Sequence, residues 1–319
     1  MDIQWKQQHI NNACVPACVA MLLSQYEIQK EDFEIILESK RPYLIEFNED
    51  DKSFSAGVLI QSPQIMNIVP NKFNLKIIHN EFDNFGEYYA KVKKLLENNI
   101  AFLTSLAQGF IPSIGYKQNK SKRGHAIVVH KIENDDFCVL DPDGGINRKE
   151  ENKFEEVEDF VSYNIHKNEL QRILEVRNKF IIAYMEKSET NGLTALNSLN
   201  KSQKILKEYS QIFQKEALSI INEDGSVIYN DFYDFIIRII KPIALDLKNA
   251  LLTIPNPSKN ELSLITKLEN LFQNTLDIQK KLKENPHLII KPHFDSLLIQ
   301  VETIQQTALI IIGYEIQKL

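Results

Sequence analysis

The sequence predicts an α+β first half, residues 1–187, followed by an all-α helical bundle, residues 193–319. Three observations predict this. Short β-branched runs alternate with helical stretches through the first half. The polar segment Ser188-Glu189-Thr190-Asn191-Gly192 then breaks the pattern. Beyond it, apolar residues recur only at three-and-four spacing.

In the first half, Ile100–Leu106, His125–Ile132, Phe137–Leu140 and Phe180–Met185 read as strands. Pro16–Tyr26, Lys30–Glu38 and Phe85–Asn98 read as helices. Glu133-Asn134-Asp135-Asp136 is a turn between two of the strands, so these should form an antiparallel hairpin. In the second half, Ile205, Tyr209, Ile212, Phe213, Ala217, Ile220 and Ile221 make one apolar stripe. Others run through Phe232–Leu252, Leu262–Leu282 and Phe294–Ile316. Breaks fall at Asp224-Gly225, Pro255-Asn256-Pro257 and Pro286–Pro292. Ser258 with Glu261 makes a capping box that starts the third helix. Short connections between four helices predict an antiparallel bundle.

Composition narrows the function classes. Hydrophobic residues make 43% of the 319 and charged residues 25%, enough for sizeable cores. A net charge of -6 argues against nucleic-acid binding, which needs a basic surface. No uniformly apolar run reaches the length of a membrane span; the most apolar tract near the end is Ala308–Gly313. Met1–Lys6 lacks the features of a secretory signal. Three cysteines give no disulfide framework and fit a reducing compartment, so a soluble, cytoplasmic protein is expected.

Three places in the first half carry chemistry. Cys14 stands where a loop enters an apolar helix, with Pro16 tolerated in the first turn. The positive end of the helix dipole favours a thiolate there. Gln8, six residues upstream, could donate an amide hydrogen bond to a developing oxyanion. His125 opens one strand of the hairpin and Asp141 ends the other, so the hairpin should make them neighbours. A base and its orienting carboxylate require such a pairing.

Gln8, Cys14, the strand-opening His125 and the Asp141-Pro142 pair together resemble the double-glycine leader peptidases, papain-like domains that process bacteriocin precursors. The resemblance covers roughly residues 5–185. It implies a papain-like fold with Cys14 as nucleophile, His125 as base, Asp141 as orienting residue and Gln8 as oxyanion donor. Val15 and Ala13 depart from the family pattern, which has glycine after the cysteine and an acidic residue before it. The layout, with a helical half and no exporter, is similar to free-standing biosynthetic enzymes of that fold. These include the acyltransferase of butirosin assembly and an amide-forming enzyme of polythioamide biosynthesis.

Alternatives accompany each assignment. Asp143 competes with Asp141, and Gln7 with Gln8. Cys18 and Cys138 read as core residues and His130 as structural. No ligand set for zinc is present, and neither a metal nor another cofactor is expected. The basic loop Lys117–Arg123 is either solvated or a docking site for an acidic partner, with Lys120, Lys122 and Arg123 as candidate substrate-binding residues. The expected activity is acyl transfer from a thioester on an acyl or peptidyl carrier protein to an amine. The alternatives are hydrolysis of a leader peptide or amide, and a binding module with a vestigial triad. Substrates would be a small amine or a peptide, with no nucleic-acid or membrane partner.

Overall fold

The structure is a computed structural model that describes residues 3–10, 13–107, 124–142, 161–188 and 195–319. From the N-terminus come α1 (Cys14–Ser24), α2 (Asp32–Glu38), the strands β1 (Ile45–Asn48) and β2 (Ser53–Ala56), and the short helices α3 (Pro63–Met66) and α4 (Ile68–Asn71). Then follow β3 (Leu75–Phe82), α5 (Phe85–Glu97), β4 (Phe102–Ala107), β5 (Gly124–Glu133), β6 (Asp136–Leu140), β7 (Ser162–His166), α6 (Lys167–Arg177) and β8 (Phe180–Lys187). The C-terminal part holds α7 (Ala195–Ser219), α8 (Tyr229–Phe235), α9 (Lys248–Leu251), α10 (Lys259–Glu284) and α11 (Lys291–Gln317).

These elements form two compact units. The first unites residues 1–35 with 61–192 around a six-stranded antiparallel sheet of order β3-β8-β4-β5-β6-β7. Helix α1 packs on one face of this sheet, against Ala101, Leu103, Ala126, Val128 and Ala183. Helices α5 and α6 cover the other face over Phe102, Ile127, Val129, Phe137 and Ile182. The expected β5–β6 hairpin is present, closed by Asn134 and Asp135 at φ 50° and 66°, the left-handed pair that a two-residue turn demands. One register shift lies between Val129 and Lys131, so His130 is a bulge residue. Core-facing positions therefore change phase from Ile127 and Val129 to Ile132. A strict strand alternation, which would put His130 on the face opposite His125, does not run through this point.

The second unit differs from the expected division at residues 187 and 193, because it also takes in residues 36–60. Nor is it all-α, since those residues carry the two-stranded β1–β2 sheet. Specific contacts bind this insert to the helices. The Tyr43 hydroxyl donates to Glu261 Oε1 at 2.7 Å, and the Ile45 amide donates to Ser202 Oγ at 2.9 Å. Lys40 pairs with Glu315 at 2.8 Å, and Phe54 meets Tyr209 edge-on at 5.0 Å. Gly57, at φ +58°, lies so close that a Cβ would sit 2.6 Å from the Asp246 carbonyl oxygen, so only glycine fits there. The Ser258–Glu261 capping box starts α10. Between α8 and α9 the helix widens into π turns, Ile236–Ile240 and Pro242–Leu247. Pro242 explains this: it has no amide hydrogen, and its ring clashes with the carbonyl four residues back.

The expectation of no membrane-length segment needs correction. Helix α11 has 27 residues and a window of mean hydropathy 1.3, so by length and composition alone it could cross a bilayer. Its window is diluted by glutamines and threonines rather than charges, which kept it from reading as a uniformly apolar run. In the second unit its Phe294, Leu297, Val301, Ile304 and Ala308 are buried, and it packs against α7 and α10.

Candidate active site

Helix α1 is apolar on every side, and all residues from Val15 to Ser24 are buried. Cys14, at the first position, is the one residue of the helix that stays partly exposed. Its N-cap, Ala13, makes no side-chain cap, which leaves the positive helix end facing the thiol without a competing acceptor from that side chain. The two departures from the leader-peptidase pattern, Ala13 and Val15, are both buried, where small apolar side chains suit the packing.

Strand β5 begins one residue before His125, and β6 ends one residue before Asp141. The hairpin brings them together, with His125 Nε2 2.7 Å from Asp141 Oδ1. Both side chains are buried, His125 at 4% exposure and Asp141 at 0%. The thiol of Cys14 and this imidazole act on each other's ionisation, and with Nε2 on the carboxylate, Nδ1 is the nitrogen left for the thiol. Asp143 lies outside the described residues, as do Lys120, Lys122 and Arg123 and the rest of the 117–123 loop.

Further groups hold Asp141 and the residue after it. The Tyr163 hydroxyl donates to Asp141 Oδ2 at 3.2 Å, and the Trp5 indole N–H donates to the Asp141 carbonyl oxygen at 2.8 Å. The backbone N–H of Gln8 donates to the Pro142 carbonyl at 2.8 Å, which seats Gln8 beside the end of β6. Gln8 Oε1 is buried and has no hydrogen-bond partner among the described residues. No sequence signal marked Trp5 or Tyr163. Trp5 precedes the motif, and Tyr163 sits on a polar strand that reads as loop.

The electrostatics follow from this packing. Burial opposes ionisation of Cys14, yet the hydrogen bond and positive charge of His125, with the Ala126 amide, bring the thiol below its usual range. Burial likewise opposes a charged imidazole, but the Asp141 charge and hydrogen bond, then Cys14, hold His125 well above its usual value. Together these favour a thiolate–imidazolium pair, the reactive form of a nucleophilic cysteine. Cys18, one turn further along α1, is fully buried, and burial drives its thiol up; burial also raises Cys138. Iodoacetamide at neutral pH should therefore alkylate Cys14 well before the other two. Peptide mass spectrometry over a short time course checks this, and equal labelling would remove Cys14 from the role. The described residues contain no cluster of His, Cys, Asp and Glu that could hold a metal ion.

No curated relative matches the chain by sequence. Among solved structures, the peptidase domain of Streptococcus ComA, a bifunctional ABC transporter involved in quorum sensing, is 13% identical. The match covers 59% of this chain and 100% of that one, at a TM-score of 0.36. A putative C39-like peptidase from Bacillus anthracis is 11% identical, covering 59% and 96%, at a TM-score of 0.38. Residues 1–171, more than half of the chain, match the Peptidase_C39 like family, and the chain belongs to it.

Proposed function

We propose that this protein is a cysteine-nucleophile acyl-transfer enzyme that takes an acyl group from a carrier-protein thioester and passes it to an amine. The observation that carries the reading is an imidazole 2.7 Å from a buried carboxylate, which together with the start of α1 favours a thiolate at Cys14. Cys14 attacks the acyl carbon as a thiolate, and the tetrahedral oxyanion collapses with loss of the donor thiol, which leaves with the His125 proton. The product is a thioester on Cys14. An amine then attacks this thioester, His125 accepts its proton, and Cys14 departs again as thiolate. Gln8, with a backbone amide, is assigned to the oxyanion in both halves. Amines attack thioesters well, which favours aminolysis over hydrolysis.

A second reading is peptide hydrolysis, with water in place of the amine, and membership of a peptidase-like family favours it. The two separate in one assay. With an acyl-loaded carrier protein and an added amine, the transferase yields an amide. The charge reversals Lys120→Glu, Lys122→Glu and Arg123→Glu together should raise KM for the loaded carrier while leaving kcat on a small thioester mimic unchanged. Wild-type activity on the carrier should also fall as salt rises, because exposed charges act on encounter and are screened. Clean cleavage of a peptide after two small residues, with no transfer from any thioester, would overturn the transferase reading and leave the peptidase one.

A further inference from the structure

Asp32 starts α2 and is fully buried, yet it is not part of the Cys14–His125–Asp141 group. A buried carboxylate needs partners, and its partners here come mainly from one short segment. Oδ2 accepts from the backbone amides of His9 at 2.7 Å and Ile10 at 3.2 Å. Oδ1 meets His9 Nδ1 at 2.8 Å and accepts from the Phe33 amide at 2.8 Å. The neighbouring pair Lys6–Glu31, at 2.8 Å, fastens the same segment to the same stretch of chain.

These bonds flank Gln8. Its own amide is held by the Pro142 carbonyl at 2.8 Å, and the next two amides are held by Asp32. The carbonyl of Ile10 in turn accepts from the amide of Ala13 at 3.0 Å, the residue before Cys14. One carboxylate thus ties the backbone on the C-terminal side of Gln8 and, through Ile10, the approach to α1. Gln8 Oε1 has no protein partner among the described residues, so its side-chain hydrogen bonds do little to fix the residue and the backbone must do so.

We infer that Asp32 is a positioning residue for acyl transfer: it clamps His9 and Ile10 so that the Gln8 side-chain amide keeps its place relative to Cys14 when the oxyanion forms. The inference rests on the assignment of Gln8 as oxyanion donor. Asp32 touches neither thiol nor substrate in this scheme and acts through Gln8. A misplacement of about 1 Å in such a donor can cost about a hundredfold in rate.

Two reagents separate this role from a general loosening of the fold. p-Nitrophenyl acetate acylates a thiolate through a tetrahedral oxyanion and releases p-nitrophenolate, whereas iodoacetamide alkylates by displacement at a saturated carbon and forms no oxyanion. In the full-length protein, Asp32→Ala should slow acylation of Cys14 about tenfold or more, with alkylation within about twofold of wild type. Gln8→Ala should slow acylation by about a hundredfold, and the double variant should be no slower than Gln8→Ala alone. If Asp32→Ala fails to fold by near-ultraviolet circular dichroism, Asp32→Asn keeps the volume but sets an amide donor against the clamped backbone amides, and it should show the same split. Wild-type acylation in the Asp32 variants, a parallel fall in both rates, or losses that multiply in the double variant would each overturn the inference. Wild-type acylation in Gln8→Ala would instead overturn the Gln8 assignment beneath it, and the clamp's role with it.

Discussion

Cys14→Ala should abolish acyl transfer, with turnover on an N-acetylcysteamine thioester falling roughly 10⁴-fold or more, as removal of a covalent nucleophile does elsewhere. No acyl adduct should appear in the intact mass after incubation with the thioester, while wild type gains the acyl mass once. Stability should hardly move, because Cys14 is only partly buried and is the first residue of α1. A change within about 1 kcal/mol is expected in urea denaturation. The contrast matters, since a neighbouring substitution inside α1 would lose activity by unfolding. Turnover within tenfold of wild type would show that another group carries the acyl chain.

Asp141→Ala should lower turnover by about 10³-fold, because His125 loses the carboxylate at 2.7 Å that orients it and stabilises its charge. Asp141→Asn separates those two effects. Its amide oxygen can still accept from His125, and the Tyr163 hydroxyl can turn to accept from the new amide nitrogen, so orientation survives while charge is lost. The consequence appears in pH dependence. In wild type the His125 charge draws the Cys14 thiol down, and Asp141 keeps His125 charged well above its usual range. The thiolate–imidazolium pair therefore exists from the lowered thiol pKa up to the raised imidazole pKa, and alkylation should already be fast below the ordinary thiol range. Removing the Asp141 charge lowers the His125 pKa, and the imidazolium is lost at a lower pH. The thiol then rises, since the direct repulsion between Asp141 and Cys14 is the smallest of the influences on it. The acid limb of the alkylation profile should move to higher pH in Asp141→Asn. An unmoved limb would mean that His125 owes its charge to something other than Asp141.

The parts of the fold that were legible share a property. The four strands read from the sequence are β4, β5, β6 and β8, and these are the four interior strands of the sheet. Covered on both faces, they carry apolar runs that stand out locally. The two that escaped, β3 and β7, are the edges, and the sequences Leu-Lys-Ile-Ile-His-Asn-Glu-Phe and Ser-Tyr-Asn-Ile-His look like loop because edge strands are kept polar. The pairing of His125 with Asp141 was legible because a tight hairpin is a local object. The bulge at His130 was not, since nothing in Val-His-Lys says that one residue will be left out of the ladder. Asp32 was hidden for another reason. Its partners lie 22 and 23 residues away, and periodicity reports which face is buried but not what it meets. The insertion of residues 36–60 into the helical unit escaped in the same way.

That interrupted second unit imposes a timetable on the nascent chain. Residues 36–60 leave the ribosome roughly 130 residues ahead of the helices that bury them. At about 5–20 residues per second, the hairpin waits for something like ten seconds before α7 begins to appear, and longer for Glu261 and Glu315. Phe54 and Tyr43 stay unpaired throughout that interval, an aggregation hazard. By contrast, every segment of the first unit has been made by residue 192. The thiol, imidazole and carboxylate can thus come together while residues 193–319 are still being translated.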